Sequence, residues 1–249
     1  PGISSAASDV YKRQHLWVIE GPTSLKEEIP AEICGLNVVF TDNLEPYRTR
    51  KVRILNGAHT SLVPVAYLYG IDKVRESLED DVVGIFLKDT IFNEICTTLD
   101  FPQKELRQFS EDVLDRFRNP YLEHALLSIS LNSTSKYKVR VLPSVLEYIN
   151  RKKENPKHLL FSLASLIAFY RGKRGKASYE VKDDQSALDF FATQWAKGDT
   201  ASVVKATLKN TDLWGTDLTQ FKGLEEIVRN NLESIIINGM KATLQAFVK

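Results

Sequence analysis

Residues 51–70 read KVRILNGAHTSLVPVAYLYG. Within them Leu55, His59, Leu62, Val63 and Ala66 recur at i, i+4, i+7, i+8 and i+11, the stripe of an amphipathic helix. The spacing predicts a helix from about Arg53 to Gly70, kinked at Pro64, whose ring and missing N–H disturb the turn before it. Helical spacing continues down the chain. Helices are expected over 110–118, 121–131, 144–152, 157–171 and 185–197, punctuated by Pro102, Pro120, Pro143 and Pro156. Asp199 is placed to cap a helix running to Asn210, and Leu224, Ile227, Val228, Leu232 and Ile235 mark a longer amphipathic one. Good strand signals are confined to residues 16–20, LWVIE, and 36–41, LNVVFT, each bounded by turn formers. The expected fold class is mainly α, with a short β segment near the start.

Composition narrows the function classes. With 43% hydrophobic and 10% aromatic residues, the 249-residue chain can bury a full core. Lys+Arg is 33 against Asp+Glu 32, a balance that argues against a polyanion binder relying on many phosphate contacts, so no nucleic-acid partner is expected. The most apolar run, residues 159–170, is too short to span a bilayer, and no secretory signal is evident; the expected compartment is the cytoplasm, with no membrane partner. Cys34 and Cys96 stand alone and read as reduced thiols. Residues 1–14 are small and polar without periodicity and are expected to be a non-native leader. The basic stretches at 151–157 and 171–176 read as solvated loops.

Several familiar site patterns are missing. There is no GxGxxG and no GxxxxGK[ST], so this chain is expected to hold a dinucleotide poorly by itself and to show no turnover alone. His15, His59, His124 and His158 show neither HxxxH nor HExxH spacing, and no metal is expected. What remains is Lys51, Asn56 and His59. At about 100° per residue they fall within roughly 140° of one another, so a cation, an amide and an imidazole can converge. The plainer account of the same spacing is a helix start with an exposed lysine, a polar asparagine and a core histidine.

The string KVRILNGAH resembles the Lys-x(4)-Asn-x(2)-His signature of the long-chain mannitol dehydrogenase family. The following TSLVPVAYLYG, the segment WVIEGP and the block DRFRNPYLEHALLSISLNSTSKYKVRVLP are similar to that family too, most of all to its members acting on sugar acids. The resemblance implies a multi-helical dehydrogenase C-terminal domain of the 6-phosphogluconate dehydrogenase type over 49–249, preceded over 15–48 by the tail of an NAD-binding Rossmann domain and a linker. It implies metal-independent hydride transfer with NAD, bound mainly by a Rossmann domain that this chain lacks, and a sugar-acid substrate. Lys51 would be the acid/base, Asn56 the donor to the developing alkoxide, and His59 the holder of a neighbouring hydroxyl. Lys136 matches a second substrate-contacting lysine. Ser128 stands where the polyol-specific members carry arginine, so the expected substrate carboxylate is left to Lys136, Arg140 or Arg53. Members acting on another hexuronate or on a polyol share the same triad, and a non-catalytic helical interaction module is the rival from another class.

Overall fold

The computed structural model describes residues 16–22 and 24–249; the leader expected over 1–14 lies outside them. The chain divides into two compact units, the first ending at Lys51 and the second covering Val52–Lys249.

In the first unit, β1 (Trp17–Glu20) and β2 (Val38–Thr41) pair in parallel, Trp17 opposite Val38 and Glu20 opposite Thr41. The short α1 (Leu25–Glu28) lies between them in sequence, and α2 (Glu45–Arg50) follows β2, its entry fixed by the Leu44 N–H donating to the Glu20 carboxylate at 2.7 Å. Leu16, Trp17, Ile33 and Leu36 are exposed apolar residues of this unit.

The second unit is helical throughout its core. Its helices are α3 (Gly57–Tyr69), α4 (Val74–Glu79), α5 (Asp81–Asp89), α6 (Gln103–Phe117), α7 (Leu126–Ile129), α8 (Ser133–Arg140), α9 (Leu142–Lys152) and α10 (Lys157–Phe169). After them come α11 (Gln185–Ala196), α12 (Thr200–Lys209), α13 (Thr211–Trp214), α14 (Leu224–Asn238) and α15 (Met240–Phe247). The centre is α10, in which every residue from Leu159 to Phe169 is buried because helices cover it on more than one side. It packs against α3 and α14. Each Leu or Phe shielded there contributes about 1.5–3 kcal/mol relative to exposure. Polar links fix the register: Ser162 Oγ donates to the Ser61 carbonyl at 3.0 Å, and the buried Tyr137 hydroxyl donates to the Leu159 carbonyl at 2.8 Å, tying α10 to α3 and α8. The first N–H groups of α10, on His158 and Leu159, are satisfied by the buried Glu94 carboxylate, 2.8 Å from each.

Three sequence expectations change. The helix expected to start near Arg53 is preceded by α2 and by a π-helical segment, Lys51–Asn56, before α3 carries on through Pro64. The helix expected over 121–131 is mostly loop. There the Val74 and Leu126 N–H groups donate to the His124 and Asp72 carbonyls, and Lys73 bridges Ala125, so the backbone bonds go to a neighbouring segment and only α7 is helical. The basic stretch 171–176 is part of a small hairpin, β3 (Lys173–Arg174) against β4 (Ala177–Ser178), with Arg174 tied to Asp72 and lying over the Tyr67 ring. The cap at Asp199 forms as the residue type dictates, its carboxylate accepting from the Ala201 and Ser202 N–H groups. Among the described residues no helix is long and apolar enough to cross a membrane.

Candidate functional site

The segment carrying Lys51, Arg53 and Asn56 is π-helical, with hydrogen bonds closed i→i+5 in place of i→i+4. Such turns are uncommon and cluster at functional sites. Lys51 opens the segment and is exposed; Asn56 closes it half-buried, its carbonyl accepting from Thr60 Oγ1 at 2.9 Å. Helical angles computed at 100° per residue therefore do not hold between these two.

Gly57 decides what α3 meets. A Cβ at this position would stand 3.0 Å from the Arg140 carbonyl oxygen, so glycine lets the end of α8 seat against the first turn of α3 without either backbone giving way. That close approach brings the sequence-predicted residues Lys136 and Arg140, one helical turn apart on α8, to the helix that carries His59. Replacing Gly57 with alanine is expected to lower stability by about 1–3 kcal/mol, because the clash is with backbone and cannot be relieved by a rotamer. A chemical-denaturation midpoint unchanged from wild type would contradict this packing.

His59 is half-buried, and its Nε2 is fully shielded with no hydrogen-bond partner. Its ring stacks on Phe117 at 3.9 Å between centroids and meets the edge of His124 at 5.8 Å. Burial pushes its pKa down to about 3, and His124, Arg140 and Arg116 push the same way. The imidazole is thus neutral at physiological pH, poised to exchange a hydrogen bond with an uncharged group.

Lys136 is half-buried, its ammonium donating to the Ile129 carbonyl at 2.9 Å; burial and Arg140 lower its pKa while Asp183 opposes them. Asp183 also organises the start of α8. It accepts from the Thr134 N–H at 3.0 Å and from Thr134 Oγ1, and the Tyr170 hydroxyl donates to it, so α8 is held by a carboxylate from outside itself. Arg140 is half-buried and burial lowers its pKa. Arg53 sits in other company. Its pKa is lowered to about 10 by burial, its charged neighbours are Glu147 and Arg151 on α9, and its Nε is shielded without a partner. The structure therefore brings His59, Arg140 and Lys136 into one neighbourhood, while Arg53 belongs to another.

Sequence reasoning assigned no role to His124, Phe117, Arg116 or Asp183. The first three lie in or beside the block 115–143 that carried the resemblance, so a signal existed; Asp183 is joined to Tyr170 across a hairpin and had none. Among the described residues no group of three or more His, Cys, Asp or Glu is placed to hold a metal ion.

Comparison with known proteins follows the same outline. Residues 43–236 match the family described as mannitol dehydrogenase C-terminal domain. The chain is similar to altronate oxidoreductase of Pectobacterium carotovorum subsp. carotovorum (strain PC1), 45% identical across 96% of this chain and 51% of the relative. It is likewise similar to altronate oxidoreductase of Yersinia enterocolitica serotype O:8, 43% identical across 99% of this chain and 52% of the relative. The chain thus spans about half the length of the curated relatives it matches. In fold it is similar to Pseudomonas fluorescens mannitol 2-dehydrogenase, solved as a ternary complex with NAD and D-mannitol, at a TM-score of 0.77 and 20% identity over 86% of this chain and 43% of that one. D-sorbitol dehydrogenase in substrate-free form gives a TM-score of 0.72 at 22% identity, again over 86% of this chain and 43% of that one.

Proposed function

The chain belongs to the mannitol dehydrogenase C-terminal domain family, and from this we propose that it supplies the substrate-binding and proton-handling part of a cytoplasmic, NAD-dependent tagaturonate reductase, interconverting D-altronate and D-tagaturonate. The observation that carries the reading is His59: a neutral imidazole with an unpartnered, shielded Nε2, set beside the cations of α8. A polyhydroxy acid matches both features, a hydroxyl for the imidazole and a carboxylate for the cations.

NAD, when bound, would supply or accept the hydride at the sugar carbon. In this reading the cofactor is held mainly by the half of the relatives' length that this chain does not span. This chain's own part is the proton. Lys51 gives a proton to the carbonyl oxygen during reduction and takes it back during oxidation, Asn56 donates its amide N–H to the oxygen as it gains charge, and His59 fixes a neighbouring hydroxyl. Ser128 is exposed and too short to do the work of the arginine that polyol-specific members carry there, which favours an acid over mannitol.

In a full-length protein containing this chain, kcat/KM for D-altronate with NAD is expected to exceed that for D-mannonate and D-mannitol by about tenfold or more, the scale on which one charged contact or one misplaced hydroxyl discriminates. Steady-state assays on the three substrates check it, and equal or better turnover of mannitol would sink the reading.

A further inference from the structure

Asn132 opens α8 in the left-handed region, at φ 54°, and its side chain caps nothing. Asparagine adopts this conformation at a modest cost, and it persists where the surroundings hold it. Here they are two consecutive residues from far along the chain. The Lys182 carbonyl accepts from the Asn132 N–H at 3.0 Å, and the Asp183 carboxylate accepts from the Thr134 N–H at 3.0 Å and from Thr134 Oγ1 at 3.1 Å. The Tyr170 hydroxyl donates to the same carboxylate. Tyr170 is itself fixed: it is buried at the C-terminal end of the central helix α10, and its ring stacks on Phe191 at 4.1 Å between centroids. A line of bonds therefore runs from the core to the first turn of α8, and Lys136 closes that turn, its N–H donating to the Asn132 carbonyl at 3.1 Å. The far end of the Lys136 side chain is held too, by the Ile129 carbonyl at 2.9 Å.

We infer that Asp183 and Tyr170 are positioning residues for Lys136: together they fix the turn of α8 that carries it, and they act on substrate affinity through that lysine. A helix start needs only a local cap, which serine or aspartate at position 132 would supply. A carboxylate recruited from 49 residues beyond Thr134 and fastened to the core by a tyrosine does more, because it sets where the turn stands relative to α10. Lysine has a long flexible stem whose freedom is lost when it grips a ligand, so a lysine already held in place binds more tightly than a free one. Supporting bonds of this kind are what keep a binding group in its productive geometry. Neither Asp183 nor Tyr170 is placed at the reacting carbon, so their effect falls on binding and leaves the hydride step alone. The inference rests on the sugar-acid reading above, in which the cations of α8 receive the substrate.

The test is a double-mutant cycle in a full-length protein containing this chain, with steady-state kinetics on D-altronate and on D-mannonate. Asp183→Asn and Tyr170→Phe, the second of which keeps the ring on Phe191 and removes only the hydroxyl, are each expected to raise KM by about threefold or more, the scale of a lost helix cap, with kcat within about twofold. Lys136→Met is expected to raise KM more. In that background either substitution is expected to change KM by less than about 1.5-fold, because the group it positions is gone. In the 249-residue chain, amide hydrogen exchange at Thr134 is expected to speed up in both variants while that of α14 stays as in wild type, which shows that the fold is kept. KM losses that multiply with that of Lys136→Met, a fall in kcat at unchanged KM, or unchanged exchange at Thr134 would each overturn the positioning role while leaving Lys136 in the site. A wild-type KM in Lys136→Met would overturn the placing of Lys136 at the substrate, and the positioning role with it. Coupling seen with D-mannonate and not with D-altronate would uphold the positioning role and sink the altronate reading alone.

Discussion

Replacing Lys51 with alanine in a full-length protein containing this chain is expected to lower kcat by about 10² or more, with a much smaller change in substrate binding, the usual scale for losing a positioned proton donor. During ketone reduction the carbonyl oxygen gains charge as the hydride arrives, and a proton must reach it. Asn56 can stabilise that charge through its amide N–H but has no proton to give. A histidine held neutral with a pKa near 3 is a poor donor at pH 7, so His59 cannot take over the role. In the proposed reading the acid is Lys51, which opens the π-helical segment. Lys51→Arg keeps the charge but not the chemistry, because a guanidinium does not give up its proton near neutral pH, and the same loss is expected. Turnover near wild type in either variant, measured under single-turnover conditions so that product release does not mask the step, would remove Lys51 from the mechanism.

Much of the helical architecture is legible because it is driven by local rules. The apolar run around Leu159–Phe169 reads as a core helix and becomes α10, and Asp199 caps α12 as its side-chain chemistry requires. What is not legible depends on partners distant in sequence. The segment after Pro120 has helical spacing, yet the backbone of Asp72–Val74 draws its hydrogen bonds away, an outcome that no local pattern encodes. The start of α8 has Asn132 at φ 54° as its N-cap residue with no side-chain cap bond, and Asp183 fills the gap from 49 residues beyond Thr134. The site shows the same division. The Lys-Asn-His spacing is visible in the sequence, but the π-helical winding beneath it, and the meeting of Phe117 and His124 with the His59 ring, depend on residues far along the chain.

His59 should make the fold acid-sensitive at the site itself. In the unfolded chain its pKa returns to about 6.5, whereas in the folded protein burial beside Phe117 and the pressure of His124, Arg140 and Arg116 hold it at about 3. Between those values the unfolded state binds a proton that the native state refuses, so stability is full above about pH 6.5 and falls as pH drops, by about 1.4 kcal/mol per unit at the limit. From pH 6.5 to 5 the loss attributable to this one side chain is about 1.6 kcal/mol. Carboxylates contribute their own pH dependence, but mostly at lower pH and in any variant alike. His59→Phe, which keeps an aromatic ring for Phe117 to stack on and cannot titrate, isolates the histidine: its urea-unfolding free energy is expected to fall less steeply over this window than that of the wild type. The comparison uses slopes, so a constant packing cost of the substitution does not matter. Parallel slopes for the two proteins between pH 6.5 and 5 would mean that His59 takes up its proton in the folded state, and a histidine that does so could no longer serve as the neutral hydrogen-bond partner on which the substrate reading depends.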